Sequence, residues 1–355
     1  MRTVHVSAAS KEYDVLIGID AVRSLGAEAK KLCPKALKAL VVSETNVAPL
    51  YLDTVNDQLE GAGFEVTDYV FGAGEQNKNI TEIAEMWNKM AEAGFTRTDI
   101  VIGLGGGVTT DMAGFAASTF LRGISVIQIP TSLLAMVDAS VGGKTGIDIP
   151  MGKNQVGAFW QPTLVLEDIS FLRTLPDDVF TEGMGEVTKH AFIMDLDLFD
   201  KLEKANGSIR DDEELLEEIV YMNVSDKASV VGEDENDNGR RQTLNFGHTV
   251  GHIIERDSGF TKPHGICVAK GMGIIMDACV RAGTLSAEDA EKMKDLLRLY
   301  KLPVSDEITS EAIVEGAMND KKKRGDTLSV ILVNKIGSAE IKKMTKEEFL
   351  EFLSV

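Results

Sequence analysis

The chain has 355 residues, of which 44% are hydrophobic and 26% charged, a composition typical of globular domains with an ample core. Its formal net charge of −19 argues against a nucleic-acid-binding protein, because neutralising phosphates requires a basic face. We find no apolar run of about 18 residues and no secretion signal at the N-terminus, so we expect no membrane span and no export. The three cysteines lack C-x-x-C spacing, which favours a reducing, cytoplasmic location.

Strands and helices alternate through the first half of the chain. Apolar alternation over the first twenty residues predicts two strands, around Val4–Val6 and Tyr13–Ile17, that form a hairpin. The elements predicted next are a helix over 21–32, strands over 39–43 and 64–71, a helix over 79–93, a strand from 101 and another over 124–129. This order favours an α/β domain, Rossmann-like, with a mainly parallel sheet.

The glycine turn of Gly105, Gly106 and Gly107 lies between the predicted strand at 101 and a helical segment over 111–120. Free N–H groups and the positive end of a helix dipole there favour an anion, so we interpret the turn as a cradle for a nucleotide phosphate. It is not the G-x-G-x-x-G pattern, and an ordinary turn between a strand and a helix fits it as well. Glu44 follows an earlier strand, where a dinucleotide fold holds the ribose, although a solvated turn acid also fits.

Two segments beyond residue 137 differ from this pattern. Residues 138–163 are glycine-rich and polar, with Lys144 and Lys153, and we expect an irregular functional loop rather than a disordered linker. Helical patterns dominate from 176 to 325, followed by a small β-turn-β segment over 328–341 and a last helix over 346–353. We therefore predict an α/β domain over 1–172 and a mostly α-helical domain over 173–355, with the active site in the cleft between them.

Histidines cluster in the helical half. His248 and His252 are four residues apart, which places both rings on one helix face. With His264 and Glu186 they offer a mixed nitrogen and oxygen site for a divalent metal such as Zn²⁺. Spacing alone favours His248 and His252 as the ligand pair. The alternative is that one of the two is a core histidine, or that it contacts a ligand rather than the metal.

Basic residues lie near the glycine and histidine segments in this otherwise acidic chain. Arginine and lysine bind phosphate and carboxylate groups, so the set suggests a small, multiply anionic substrate. The run 321–324 also fits a solvated loop. The residues are Arg122, Lys144, Lys153, Lys227, Arg241 and Lys321–Arg324.

Six motifs together closely resemble the 3-dehydroquinate synthase family. They are Gly105–Asp111, Arg122–Gly123, Pro130–Leu134, Val137–Gly146, Gly152–Asn154 and Leu244–Thr249. The resemblance implies an NAD-binding domain, a helical metal-binding domain and a homodimer. It also implies a lyase of aromatic amino acid biosynthesis (the shikimate pathway), which converts 3-deoxy-D-arabino-heptulosonate 7-phosphate to 3-dehydroquinate and phosphate. NAD⁺ would be recycled in each turnover, and Zn²⁺ or Co²⁺ would bind the substrate hydroxyls.

The resemblance also assigns residues by position. The metal ligands would be Glu186, His248 and His264. His252 would then lie on the substrate side or contact a ligand rather than the metal. The nucleotide would be held by Glu44, Asn46, Glu75, Lys78, Gly106, Gly107, Val108, Asp111, Thr131, Ser132, Asp138, Lys144, Lys153, Phe171, Thr174 and Leu175. The substrate would be held by Arg122 (contributed by the partner subunit in this family), Lys144, Asn154, Lys227, Arg241, Asn245, His252 and Lys321, with Lys322 or Lys323 as alternatives to Lys321.

Three positions depart from the family pattern. Ile266 stands where an acid is common, Glu44 where Asp is frequent, and Met184–Gly185 precede the predicted ligand Glu186 where other small residues are usual. None removes a group that would touch metal or substrate. Two related functions remain open at this point: another sugar-phosphate cyclase, or a metal- and NAD-dependent polyol dehydrogenase, which would not need the lysines for a neutral substrate.

Overall fold

The computed structural model of the chain describes residues 1–319 and 327–354. The strands are β1 (Arg2–Ser7), β2 (Glu12–Gly18), β3 (Lys38–Glu44), β4 (Glu65–Phe71), β5 (Ile100–Gly105), β6 (Ser125–Pro130), β7 (Lys144–Ile149), β8 (Gly152–Phe159), β9 (Leu164–Asp168), β10 (Thr327–Lys335) and β11 (Ser338–Thr345). The helices are α1 (Leu25–Leu32), α2 (Ala48–Gly61), α3 (Ile80–Glu92), α4 (Gly107–Thr119), α5 (Asp177–Ile193), α6 (Leu196–Ala205), α7 (Glu213–Glu233), α8 (His248–Asp257), α9 (His264–Arg281), α10 (Ala287–Leu299), α11 (Ser310–Asn319) and α12 (Lys346–Ser354).

The chain divides into two compact units. The first consists of Met1–Leu175 and Glu213–Asn236, and the second of Pro176–Asp212 and Asp237–Val355. The sequence predicted a change of character at residue 172/173 and placed α7 in the second domain. By its contacts α7 groups with the first unit, where it packs against β1 and β2.

A seven-stranded sheet of order β1-β2-β9-β6-β5-β3-β4 forms the centre of the first unit. β1 and β2 pair antiparallel, and all the other neighbours in this sheet are parallel. Every residue of β5 is buried because helices cover both faces of the sheet. Ile102 packs in the core cluster that includes residues of α1 and α2, and Val101 in the one that includes residues of α3 and α4. The predicted α/β class is therefore confirmed.

The segment 138–163 was predicted to be irregular, and that prediction was wrong. β7 and β8 form a two-stranded antiparallel sheet within it. Gly146 and Gly157 face each other in this pair, and a Cβ on Gly146 would lie 2.8 Å from the Val156 carbonyl oxygen. Glycine is rare in strands and β8 is mostly exposed, so neither composition nor alternation indicated a hairpin. The elements α2 and β9 also lie outside those predicted from the sequence.

Helices α5, α6 and α8–α12 make up most of the second unit, together with the antiparallel pair β10 and β11. Both the helical character and the β-turn-β segment agree with the sequence prediction. Within the described residues, no helix combines the length and apolarity needed to span a bilayer.

Candidate functional site

Three histidine rings of the second unit face one another. His248 and His252 lie one turn apart on α8, and His264 is the first residue of α9. One ring nitrogen from each lies within 4.8 Å of the other two. The ring centroids are 5.1 Å apart for His248 and His264 and 5.6 Å apart for His252 and His264. Imidazole nitrogens that converge in this way suit a divalent metal such as Zn²⁺.

Glu186 on α5 adds a carboxylate to this cluster. Its Oε1 lies 3.6 Å from Nε2 of His248 and 3.7 Å from Nε2 of His264. The residue is fully buried, and no described residue hydrogen-bonds to Oε1. A buried carboxylate oxygen without a partner is costly unless it binds a cation, so the residues present fit a metal ion.

Close helix packing brings these groups together. A Cβ on Gly185 would lie 2.6 Å from the Gly265 carbonyl oxygen, so α5 and α9 can approach only because residue 185 is glycine. Close packing of α5 on α9 thus explains the glycine at position 185, one of the departures from the family pattern. Gly247, just before His248, has a φ of 78°, and a Cβ there would lie 2.5 Å from Cγ of Met272 on α9. Glycines at these positions set the distances between the ligand-bearing helices.

A buried lysine accompanies Glu186. Lys189 lies one turn further along α5, and its Nζ donates to Oε2 of Glu186. Burial, reinforced by the charge of Lys189, lowers the pKa of His248 well below its ordinary value, which keeps the ring in the neutral form that metals require. Sequence reasoning missed Lys189. Its position three residues after Glu186 on one helix was the available indication.

Two further carboxylates surround His264. Oε2 of the buried Glu255 lies 3.4 Å from Nδ1 of His264, and Oε1 of Glu182 accepts the main-chain N–H of His264 at 3.0 Å. Both were absent from the sequence prediction. Ile266 stands where an acid was expected, and Glu255 supplies a carboxylate to His264 from α8 instead. The geometry fits both the pair favoured by spacing, His248 and His252, and the set implied by the resemblance, in which His264 replaces His252. The choice between these two ligand sets stays a prediction.

In the first unit, the carboxyl ends of the parallel strands carry the residues predicted to hold a nucleotide. Gly106 and Gly107 connect β5 to α4, whose first-turn N–H groups lack partners within the helix. Thr131 follows β6 and donates its N–H to the Gly105 carbonyl at 3.0 Å, which joins the ends of β5 and β6. Glu44 ends β3 and accepts the Asn46 N–H at 2.7 Å. Ligands of open parallel sheets bind at this edge.

A polar cluster lies beside this edge. Lys78 is buried, and its Nζ donates to Oδ2 of Asp111 and to Oδ1 of Asn154, each at 2.6 Å. Glu75 Oε1 lies 3.9 Å from Lys78 Nζ and 3.7 Å from Lys153 Nζ. Burial raises the pKa of Asp111, and the Lys78 charge opposes that shift. Five residues assigned by resemblance therefore converge here.

The predicted nucleotide-binding residues Phe171, Thr174 and Leu175 also lie together, beside Tyr51. Tyr51 on α2 stacks on Phe171 with ring centroids 4.0 Å apart, and its hydroxyl hydrogen-bonds Oγ1 of Thr174. Leu175 donates its main-chain N–H to Leu172 at 3.4 Å. Tyr51 was not predicted from the sequence, since it belongs to no glycine-rich or charged motif.

Four further residues predicted to bind the substrate have defined places within the two units. Arg122 is exposed and precedes β6, so it lies at the opposite end of that strand from Thr131. Lys144 is exposed at the start of β7. Arg241 is buried in the turn Arg240–Asn245 of the second unit, which also carries Asn245. The run that contains Lys321 lies outside the described residues.

Comparison with known proteins identifies the family. The model of the 3-dehydroquinate synthase N-terminal region matches residues 68–182, and that of the C-terminal region matches 183–323. A 3-dehydroquinate synthase of Lactococcus lactis subsp. cremoris is 42% identical over 353 residues, which are 99% of this chain and 99% of the relative. The chain belongs to the 3-dehydroquinate synthase family.

Other relatives agree with this assignment. A 3-dehydroquinate synthase of Clostridium acetobutylicum is 39% identical over 360 residues and covers 100% of both chains. A solved 2-epi-5-epi-valiolone synthase from Streptomyces hygroscopicus subsp. jinggangensis, with NAD⁺ and Zn²⁺ bound, has a TM-score of 0.85 and 27% identity over 96% of this chain and 95% of its own. The fold expected from the resemblance to 3-dehydroquinate synthases is thus confirmed.

Proposed function

We propose that the chain converts 3-deoxy-D-arabino-heptulosonate 7-phosphate to 3-dehydroquinate and inorganic phosphate. The observation that carries this proposal is the buried, unpartnered Oε1 of Glu186, which faces two histidine nitrogens in a full-length member of the 3-dehydroquinate synthase family. The polyol dehydrogenase alternative is less well supported, because a neutral polyol would not need Lys144, Lys153 and Arg241.

Glu186, His248 and His264 would hold a divalent metal, Zn²⁺ or Co²⁺, and the residues of the β-strand carboxyl edge would hold NAD⁺. When bound, the metal would supply Lewis acidity toward the substrate hydroxyls and NAD⁺ would accept and return a hydride. Support for both groups comes from the valiolone synthase relative, whose structure holds NAD⁺ and Zn²⁺. In the nucleotide site, the first turn of α4 would face the pyrophosphate, and Glu44 would accept from a ribose hydroxyl.

The substrate's anionic groups would be held by the cationic and amide side chains assigned above. Lys144, Asn154, Lys227, Arg241 and Asn245 supply these donors within the described residues, and Lys321 would add one more. His252 is exposed beside the metal ligands, where it could accept a hydroxyl proton from the substrate. Since Lys189 is buried against Glu186, we assign it to orienting that carboxylate.

A second copy of the chain would complete the site. Arg122 lies at the amino end of β6, whereas the glycine turn after β5 and Thr131 lie at the opposite edge of the sheet. Leu121 and Arg122 both adopt left-handed backbone conformations, with φ of 49° and 70°, and both are exposed. β8 is also exposed and carries Phe159. We assign this face to a homodimer in which Arg122 acts on the partner's substrate. The three free, buried cysteines fit the reducing conditions of a cytoplasmic location.

One assay tests the reaction. The protein is incubated with NAD⁺, Zn²⁺ or Co²⁺ and the heptulosonate phosphate, while phosphate release and NADH absorbance are followed together. We expect stoichiometric phosphate and no accumulation of NADH, because the hydride is returned in each turnover. Net NADH, with or without phosphate, would instead identify a dehydrogenase.

A further inference from the structure

Asp148 links the β7–β8 hairpin to the polar cluster around Lys78. The β7–β8 register shifts between Ile147 and Ile149, so Asp148 lies opposite the bulged residues 153–155 of β8. Its main-chain N–H donates to the Lys78 carbonyl oxygen at 2.8 Å. Its Oδ1 accepts the main-chain N–H of Asn154 at 2.8 Å. No motif used above assigns a role to Asp148.

Asn154 adopts a conformation that needs such support. Its φ is 54°, in the left-handed region that non-glycine residues rarely occupy. The bond from its N–H to Asp148 holds the turn, and its side-chain Oδ1 accepts from Lys78 Nζ at 2.6 Å. Three bonds thus close a ring through Lys78, Asp148 and Asn154. Of the three acceptor oxygens in the ring, the carboxylate oxygen of Asp148 is the strongest.

Two of the contacts beside this ring reach other predicted site residues. Lys153 precedes Asn154, and its Nζ is 3.7 Å from Glu75 Oε1, while Lys78 continues to Asp111 at 2.6 Å. If the bond from Asn154 to Asp148 were absent, the left-handed turn would lose its acceptor, and Lys153 would lose its fixed approach to Glu75.

We propose that Asp148 is a positioning residue, which holds the hairpin turn so that Lys153 and Asn154 stay against the Glu75–Lys78–Asp111 cluster. This inference rests on the proposed function, since that cluster is where we expect NAD⁺ to bind. Asp148 itself touches neither substrate nor cofactor in this assignment.

The test compares D148A with D148N in the full-length, metal-loaded protein. Hydrogen–deuterium exchange of peptides covering 148–156 reports on the turn, and calorimetric titration with NAD⁺ reports on the site. In D148A we expect the exchange rate of these amides to rise about tenfold, and the Kd for NAD⁺ to rise by the same factor. This is the order expected for a lost bond to a charged acceptor. D148N keeps an acceptor oxygen at the same place, so both readouts should stay within about threefold of the wild-type values.

Asp99 provides a matched control. Its carboxylate accepts the main-chain N–H groups of Thr96, Leu37 and Lys38 at 2.7 to 2.9 Å, in a turn that precedes β5. D99A should lower the melting temperature and leave the Kd for NAD⁺ unchanged. If D148A does not fold, D148E replaces it, because the extra methylene displaces the acceptor, and the same losses are expected.

Each outcome decides a separate point. Unchanged exchange in D148A, or equal losses in D148A and D148N, would overturn the positioning role. Faster exchange with an unchanged Kd for NAD⁺ would show that the turn does not serve the nucleotide site, and would also overturn it. A wild-type protein that binds no NAD⁺ would instead contradict the proposed function, while the exchange comparison would still decide whether Asp148 holds the turn.

Discussion

Lys227 on α7 donates to the main-chain oxygen of Asp138 at 2.5 Å and also to the Asp138 carboxylate. The two residues lie 89 positions apart, and the sequence assigned them to different domains and to different ligands. In the fold they belong to one unit and partly neutralise each other. An anionic substrate that binds Lys227 must therefore share it with Asp138.

The contact between Lys227 and Asp138 should give a measurable coupling energy in the free energy of unfolding. Lys227→Met keeps the apolar stem but removes the cation, which leaves the partly buried Asp138 carboxylate without that partner. We expect a loss of about 1–2 kcal/mol, below the value for a fully buried pair because Asp138 is 30% exposed. Urea unfolding of K227M, D138N and the double variant measures the coupling. Strictly additive losses would contradict a direct interaction.

The metal ligands can be separated by measuring metal content. His264→Ala should lose most of the bound Zn²⁺, since His264 Nε2 faces Oε1 of Glu186 beside His248. His252→Ala should retain it, because His252 is exposed and assigned to the substrate side. Metal content after dialysis and competition with a chelator provide the measurement. Equal loss in both variants would support the pair chosen by spacing.

Lys144 should contribute to binding the substrate's phosphate. Lys144 is exposed, and a bound ligand would desolvate it. Lys144→Ala is then expected to weaken the binding of a phosphonate analogue of the substrate by about 2 kcal/mol or more, the order found for truncating one partner of a desolvated charge pair. Lys144→Arg keeps the charge and serves as the control. Titration calorimetry measures both affinities, and an unchanged affinity of the alanine variant would contradict the assignment.

Glu167 on β9 should make stability depend on pH. It is fully buried, neither carboxyl oxygen has a hydrogen-bond partner among the described residues, and burial raises its pKa well above the ordinary value. The folded state is therefore favoured while the carboxyl is protonated, and this contribution is lost as pH rises from the unfolded pKa through the raised folded pKa.

Glu167→Leu removes that titration. We expect a gain of about 1–3 kcal/mol at pH 8 and a smaller gain at pH 5. Melting temperatures at both pH values provide the measurement, with a Glu60→Gln variant as the control, because Glu60 is an exposed residue of α2. Parallel pH dependences of wild-type and E167L proteins would show that Glu167 does not titrate in this range.

Continuous burial helped the sequence prediction in some strands, although the fully buried β9 was missed. β5 and β6 are buried on both faces, so their apolar runs were visible. β8 has an exposed surface and glycines at 152 and 157, which hid a strand. The contacts of α7 with β1 and β2 depend on tertiary packing, which no local pattern encodes.

The residues of the candidate site were also predicted only in part. Glycine turns and histidines carry recognisable spacing, and the family resemblance added residues such as Arg241 that spacing does not indicate. Lys189, Glu255 and Tyr51 were missed because each acts on a neighbour brought close by folding. Their contacts are set by helix packing distances, such as the approach of α5 to α9 at Gly185.

The chain crosses between its two units three times, after residues 175, 212 and 236. A fragment ending at residue 175 would lack α7, and with it the helix that packs on β1 and β2. Its exposed apolar strands would favour aggregation over folding. No single crossover point can therefore exchange one whole unit of this protein for that of a relative.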